Sequence, residues 1–412
     1  MQFKRTFKYR IYPSKLQQIT ITNQLELSRK LYNELLSVKK ETYEQSHQSL
    51  TKFDLNKCMF FFNDMNPEFN TLHSQVKQNI ADRVYKAYQN MFARIKRGED
   101  KVGYPRFKGR ERYKSICYPQ SGFVITSTNK LKISKIGDIN IKLHRPIKGT
   151  VKTMTINKTA TNKYYVTFSC IVDVEDFKKV IPKSITQSVG IDVGLKNYIS
   201  TSDGQQIANP ELYRNSESKL ARVQRKHSMK KLGSNNRKKS KLKVALVHEK
   251  VRHQRTDFLH KLSCELISKY GLIGIEKLNI KGMVRNHNLA KSISDAGWGT
   301  LASQLRYKAE YAGSVIHNSD RFYPSSKLCN KCGSKQNIPL HKRTFQCQCC
   351  GNVEDRDSNA SKNLLNDALH SINTNTVGTT EFQACGDDTA TFGQSKASIV
   401  NESGSHDLKS PQ

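Results

Sequence analysis

Two cysteine pairs, Cys329-x-x-Cys332 and Cys347-x-x-Cys350, stand fourteen residues apart in a chain of 412 residues. A C-x2-C turn sets two sulfurs about one tetrahedral edge apart, and two such turns complete a four-thiolate site for Zn²⁺. Gly333 and Gly351 follow the second cysteine of each pair, where the turn needs a permissive φ. With four thiolates and no open position, such a zinc is structural. Cys349 is a fifth thiol. Pairing it with Cys347 leaves one residue between ligands and a poorer chelate, so Cys347 and Cys350 are taken, with Cys349 left open as a substitute.

Seven residues after Cys350 comes Asp357, in "DRDSNASKN". Alone it reads as a helix cap. Two distant acids change that. Asp192 lies inside the apolar run "VGIDVGL", and Glu276 ends the apolar run "LIGIEKL". A carboxylate buried in a strand needs a cation nearby. A lysine or arginine would serve for one. Three, placed on a strand, at another strand's end and at a helix start, match an RNase H-like metal site. Paired Mg²⁺ ions, with Mn²⁺ as the alternative, take carboxylate and water oxygens and complete their shells with substrate phosphate. On this reading Asp192 bridges both ions, Glu276 holds one or orients the water, and Asp357 binds on the other side.

The surrounding stretches read as the elements that must hold these groups. "SVGIDVGLKNYISTSDGQQI" alternates as a hairpin, "LISKYGLIGIEKLNI" returns to a buried strand, and "WGTLASQLRYKAEYAGSVIHNSD" reads as helix then strand. Between them, residues 219–255 carry 14 Lys or Arg against one acid, Glu249, and fit two antiparallel helices joined at Gly233. Nearer the start, "FKRTFKYRIY" alternates as a strand. From Lys15 the period becomes helical, with Ile21, Leu25, Tyr32, Leu35 and Val38 on one face. A clearer helix runs through Val76, Ile80, Val84, Ala87, Met91 and Ile95, with Ser74 as its cap, Gly98 as its stop and Lys77, Gln78 and Arg83 on its outer side. Residues 113–182 hold short turn-bounded strands that suit a small barrel, which the first strand joins. "IPKSITQS" reads as a linker. Beyond Thr374 the chain is rich in Thr, Ser, Gly, Asp and Asn, and 375–412 reads as disordered.

Lys plus Arg number 69 and Asp plus Glu 35, a formal charge of +34. Self-repulsion of that size is most readily offset by a polyanion. The first residues form no signal peptide, and no apolar run reaches the ~20 residues of a membrane span, so a soluble intracellular protein is expected. Five of the ten cysteines fall between Cys329 and Cys350, the pattern of a metal site in such a compartment. Candidate nucleic-acid contacts are Lys77 and Gln78, and Arg106 and Lys108 in the basic, aromatic stretch "YPRFKGRERYKS".

Together, "FKYRIYPSKLQQ", "YPRFKGRERYKS", "GIDVGLKNYIS", "GIEKLNIKGM", "WGTLASQLRYKAEYAG", "YPSSKLCNKCG", "CQCCG", "DRDSNASKN" and the tail phrase "VGTTEFQACGDD" resemble the TnpB family, transposon-encoded RNA-guided nucleases related to type V CRISPR effectors. The likeness covers nearly the whole chain, and Cys349 departs from it. It implies a multidomain α+β chain. A wedge-type β-barrel (1–12 and 101–183) is interrupted by a helical recognition domain (13–100). A RuvC-like nuclease domain (184–328 and 352–374) follows, with a zinc-binding insertion (329–351) and the tail. It implies Asp192, Glu276 and Asp357 as catalytic triad, a guide RNA encoded at the transposon end, and double-stranded target DNA cut beside a short motif read by protein. It further implies one protein copy per RNA, retention of the element as the outcome, and a prokaryotic cytoplasm, nucleoid-associated when on DNA. Two other functions fit the same residues: a non-cleaving guide-bound DNA-binding regulator, and a transposase acting directly on element ends.

Overall fold

The computed structural model describes residues 2–173, 184, 186–339 and 342–376. The first sheet is built from β1 (Gln2–Tyr12), β2 (Ser115–Tyr118), β3 (Phe123–Ile125), β4 (Lys130–Ile133), β5 (Gly137–Lys142), β6 (Thr150–Lys158) and β7 (Tyr164–Asp173). Their order is β2-β6-β7-β1-β5-β4-β3. The opening strand therefore sits in the middle, antiparallel to β7 on one side and β5 on the other, with Arg10 facing both Tyr165 and Lys142. Its alternation is the cause: Phe7, Tyr9 and Ile11 are buried among Tyr118, Phe168 and Ile139. The outer strands curl toward each other. The Tyr118 hydroxyl donates to the Ser134 carbonyl (3.1 Å) and the Ser134 amide to Gly122 (2.8 Å), so the sheet is a near-closed barrel.

Between β1 and β2 lie α1 (Lys15–Ser46), α2 (Lys52–Met65) and α3 (Ser74–Lys96). Ser14 and Gln17 close a reciprocal capping box on α1. The cap of α3 is His73, not Ser74: its ring nitrogen accepts from the Gln75 amide at 3.2 Å, and Ser74 is already helical. Arg83 also departs from the outer face expected of it. Its guanidinium donates to the Ser115 carbonyl (3.1 Å) and lies over the Tyr113 ring, docking α3 on the barrel.

The second unit runs β8 (Ser188–Val193), β9 (Asn197–Thr201), β10 (Gln206–Ala208), α4 (Arg214–Ser228), α5 (Asn235–Lys269), β11 (Leu272–Glu276), α6 (Ile280–Met283), α7 (His287–Ala296), α8 (Trp298–Ala312), β12 (Val315–Ser319), β13 (Thr344–Gln346), β14 (Val353–Asp355) and α9 (Arg356–Thr376). Its five-stranded sheet has the order β10-β9-β8-β11-β12. The first three strands are antiparallel neighbours, whereas β11 is parallel to both β8 and β12. Leu259, Leu262 and Leu266 of α5 and Leu301 and Leu305 of α8 cover one face, and α9 covers the other. The α4–α5 turn falls at Gly233, with φ 80°. The barrel meets this unit where Glu249 accepts from Lys163 (2.7 Å) and Thr161 (2.8 Å).

The helix carrying Asp357 extends to Thr376, two residues into the segment expected to be disordered. The rest of that tail, and half of the expected linker (residues 181–183 and 185), lie outside the described residues.

Candidate active site

Strand alternation divides the residues of β8 and β11 between two faces. Val189 and Ile191, with Ile273 and Ile275, enter the core under α5 and α8. The opposite face carries Gly190 and Asp192 on β8, and Gly274 and Glu276 on β11. At both glycines α9 touches the sheet backbone. A Cβ on Gly190 would stand 1.9 Å from the Ser361 carbonyl oxygen, and one on Gly274 would stand 2.5 Å from that of Leu364. Only glycine admits this approach. It lays α9 across the two strands with its first turn at their C-terminal ends.

The register pairs Gly190 with Gly274 and Ile191 with Ile275. Asp192 and Glu276 come one step later on parallel neighbours, on the face that α9 covers, and Asp357 stands in the first turn of α9. Two of the acids act on the third. The Asp192 carboxyl is pushed up to about 8, first by burial and then by the negative charges of Asp357 and Glu276, while Arg356 and the Val193 amide oppose the rise. Burial raises Glu276 as well. The Arg343 guanidinium lies 3.7 Å from the Asp357 carboxylate. On the next strand Ser319, in register with Glu276, is buried with no hydrogen-bond partner for its hydroxyl among the described residues. A set of oxygen donors with unbalanced negative charge suits a hard divalent cation.

Beside these acids lies the cysteine cluster. The sulfurs of Cys329, Cys332, Cys347 and Cys350 all fall within 4.8 Å of one another. Cys329–Cys350 measures 3.6 Å and Cys332–Cys347 3.5 Å, close to the ~3.8 Å edge that Zn–S bonds of ~2.3 Å would give. Four thiolates in this arrangement can hold a metal. Cys349 is exposed and outside the cluster.

The cluster is tied to α9. Buried Asn359 accepts from the Asn330 amide (3.0 Å) and donates to the Leu328 carbonyl (2.7 Å). Asn363, one turn on, donates to Ser325 (2.8 Å) and Leu328 (2.7 Å). Glu354 gathers Asn330, Asn352 and Lys362. The helix is capped by Asp355, whose carboxylate accepts from the amides of Asp357 (3.0 Å) and Ser358 (3.1 Å), so capping is not the task of Asp357. Gly190, Gly274, Ser319, Asn359 and Asn363 went unread in the sequence. A run as polar as "SNASKN" at the start of a helix was the signal for the two asparagines.

The candidate nucleic-acid residues fare unevenly. Lys77 does not project from an outer face: it is half-buried, donates to Asn63 (2.9 Å), and burial with nearby Lys135 lowers its pKa. Gln78 and Arg106 are exposed. Lys108 is fastened to α1 through its backbone, whose amide donates to Asn33 (2.8 Å) and whose carbonyl accepts from Arg29 (3.0 Å) and Asn33 (3.1 Å). No helix among the described residues is long and apolar enough to cross a membrane.

Residues 170–287 match a family described as "Probable transposase", and residues 298–364 match "Cas12f1-like, TNB domain". Residues 1–48 match "Helix-turn-helix domain", although the described residues there form β1 and the unbroken helix α1. A protein of Streptomyces pristinaespiralis named "Putative RNA-guided DNA endonuclease" is 33% identical over 378 residues, 88% of this chain and 89% of that one. The Escherichia coli (strain K12) protein "Putative RNA-guided DNA endonuclease InsQ" is 25% identical over 384 residues, 89% and 92% of the two chains. In fold, the chain is similar to the protein of a solved Cas12f1-sgRNA-target DNA complex, with a TM-score of 0.54, 12% identity, and 88% and 98% of the chains covered. The chain belongs to the family that its motifs resemble, the TnpB family.

Proposed function

We propose that this protein is an RNA-guided DNA endonuclease of a transposon, and that Asp192, Glu276 and Asp357 are its catalytic carboxylates in a RuvC-like domain. The observation that carries the reading is the convergence of three acids from β8, β11 and α9, close enough that two of them raise the pKa of the third. Mg²⁺ is the ion that fits, with Mn²⁺ as its substitute. When bound as a pair, such ions activate a water and stabilise the leaving 3′ oxygen of a phosphodiester. Asp192 and Glu276 would offer oxygens from neighbouring strands of the sheet, and Asp357 its own from the first turn of α9. Burial and the two neighbouring carboxylates favour the protonated form of Asp192, and a bound cation would favour the carboxylate instead. Arg343 and Arg356 put positive charge where a scissile phosphate must approach. The cysteine cluster takes Zn²⁺ and acts structurally, holding the first turns of α9 through Asn359 and Asn363.

In this reading the seven-stranded barrel serves as a wedge and α1–α3 as a recognition unit, which with the barrel reads the short motif beside the target. One copy binds one guide RNA, and pairing selects the DNA. Cutting the vacated donor site then promotes retention of the element by repair.

The test is to purify the protein with its bound nucleic acid, sequence the RNA, and assay a matched plasmid with Mg²⁺. Cleavage by wild type and none by Asp192→Ala is expected. RNA-bound protein that never cuts would indicate a regulator; RNA-free protein acting on element ends would indicate a transposase.

A further inference from the structure

Where α4 turns into α5, two large apolar side chains stand in water: Met229 is 81% exposed and Leu232 80%. The turn is rigid. Arg237, from the first turn of α5, donates through one guanidinium nitrogen to the carbonyls of His227 (3.3 Å), Ser228 (3.4 Å) and Lys230 (2.7 Å). Ser234 caps α5 through the Arg237 amide (3.1 Å), Gly233 takes φ 80°, and His227 bonds Ser240 across the hairpin at 2.7 Å. The side chains thus project from a hydrogen-bonded tip. Residues 218–248 contain eleven Lys or Arg and no acid. Lys226, Lys230, Lys231, Lys238 and Lys239 around the tip are all exposed.

We propose that this tip is an apolar wedge for the guide RNA: Met229 and Leu232 press against a base surface exposed at a helix end or opened step, while the flanking lysines hold the adjacent phosphates. The proposal rests on the RNA-guided reading above. Charge selects a nucleic acid as occupant. Apolar side chains among lysines find complementary surface in bases, not in the phosphate backbone. RNA, and not target DNA, is the source because a constitutive partner keeps the apolar pair covered, whereas a transient one leaves it exposed between encounters.

The experiment measures guide-RNA affinity against salt for the full-length protein. Met229→Ser/Leu232→Ser should weaken RNA binding about tenfold, the scale of a lost stacking contact, with the slope of log affinity on log salt unchanged. Lys230→Gln/Lys231→Gln should weaken binding and reduce that slope by about two. Met229→Leu, with Leu232 kept, should bind the RNA as tightly as wild type. Thermal unfolding of all variants should match wild type, since none of these side chains is buried. Unchanged RNA affinity in the serine variant, or a defect confined to target DNA binding, overturns the wedge. Wild type that carries no RNA overturns the RNA-guided reading itself, so the two failures are distinct.

Discussion

At the scale of single residues, Asp192 carries opposed demands: the position proposed to serve a cation is one where its charge is poorly tolerated. Its pKa rises from 3.8 to about 8. The folded state therefore holds the proton more tightly than the unfolded chain. Its contribution to stability is fully present below about pH 4 and is lost as pH climbs through the window to about 8. Asp192→Asn should stabilise the Mg²⁺-free protein by ~1–3 kcal/mol at pH 8 and by little at pH 4. Denaturant titrations at the two pH values check this. The same substitution should lower cleavage at least ~100-fold, the scale on which even outer partners of metal ligands act. Asp192 and Glu276 were legible because an acid amid Val, Ile and Leu contradicts its surroundings. Asp357 was legible only through those two, since its own neighbours read as a helix start. Ser319 carries no such contradiction, and its place beside Glu276 emerges only from strand register.

At the scale of elements, the site depends on how closely α9 approaches the sheet. Gly190→Ala should cost roughly 3 kcal/mol or more and Gly274→Ala about 1–2 kcal/mol, because the first clash is the closer and both are with backbone. Thermal unfolding should rank them in that order, and both should lose cleavage at temperatures where they remain folded. The asparagine ties make a separate prediction. Asn359→Ala leaves the Asn330 amide unpaired, at ~1–3 kcal/mol, while the Leu328 carbonyl keeps Asn363, and should weaken cleavage while zinc content, read by elemental analysis, stays at one per chain. Cys332→Ser should lose both; cleavage intact at normal protein levels would count against the coupling. The strands around the acids and the Gly233 hairpin were legible from alternation and charge. The short elements β2 and α6 were not, having too few residues to show a period. The inward turns of Lys77 and Arg83 escaped because Asn63 and Ser115 come from other parts of the chain.

At the scale of the whole molecule, the +34 charge sets the terms of partnership. If six to ten phosphates are neutralised, RNA affinity should fall ~10³–10⁵-fold between 50 and 200 mM salt. Filter binding across that range checks it, and a flat response would remove the electrostatic basis of the RNA assignment. The class of partner was legible in composition alone. Which surfaces meet it was not, because sequence does not say which lysines remain outside. The placing of β1 bears on how the chain is made. A ribosome that has released the first hundred residues has released the centre of a barrel without either neighbour, since β5 and β7 end at Lys142 and Asp173. Helices α1–α3 can form meanwhile from local contacts, but a strand bearing Phe7, Tyr9 and Ile11 must wait unpaired. Nascent chains are thus most prone to aggregate during translation, before the finished fold exists.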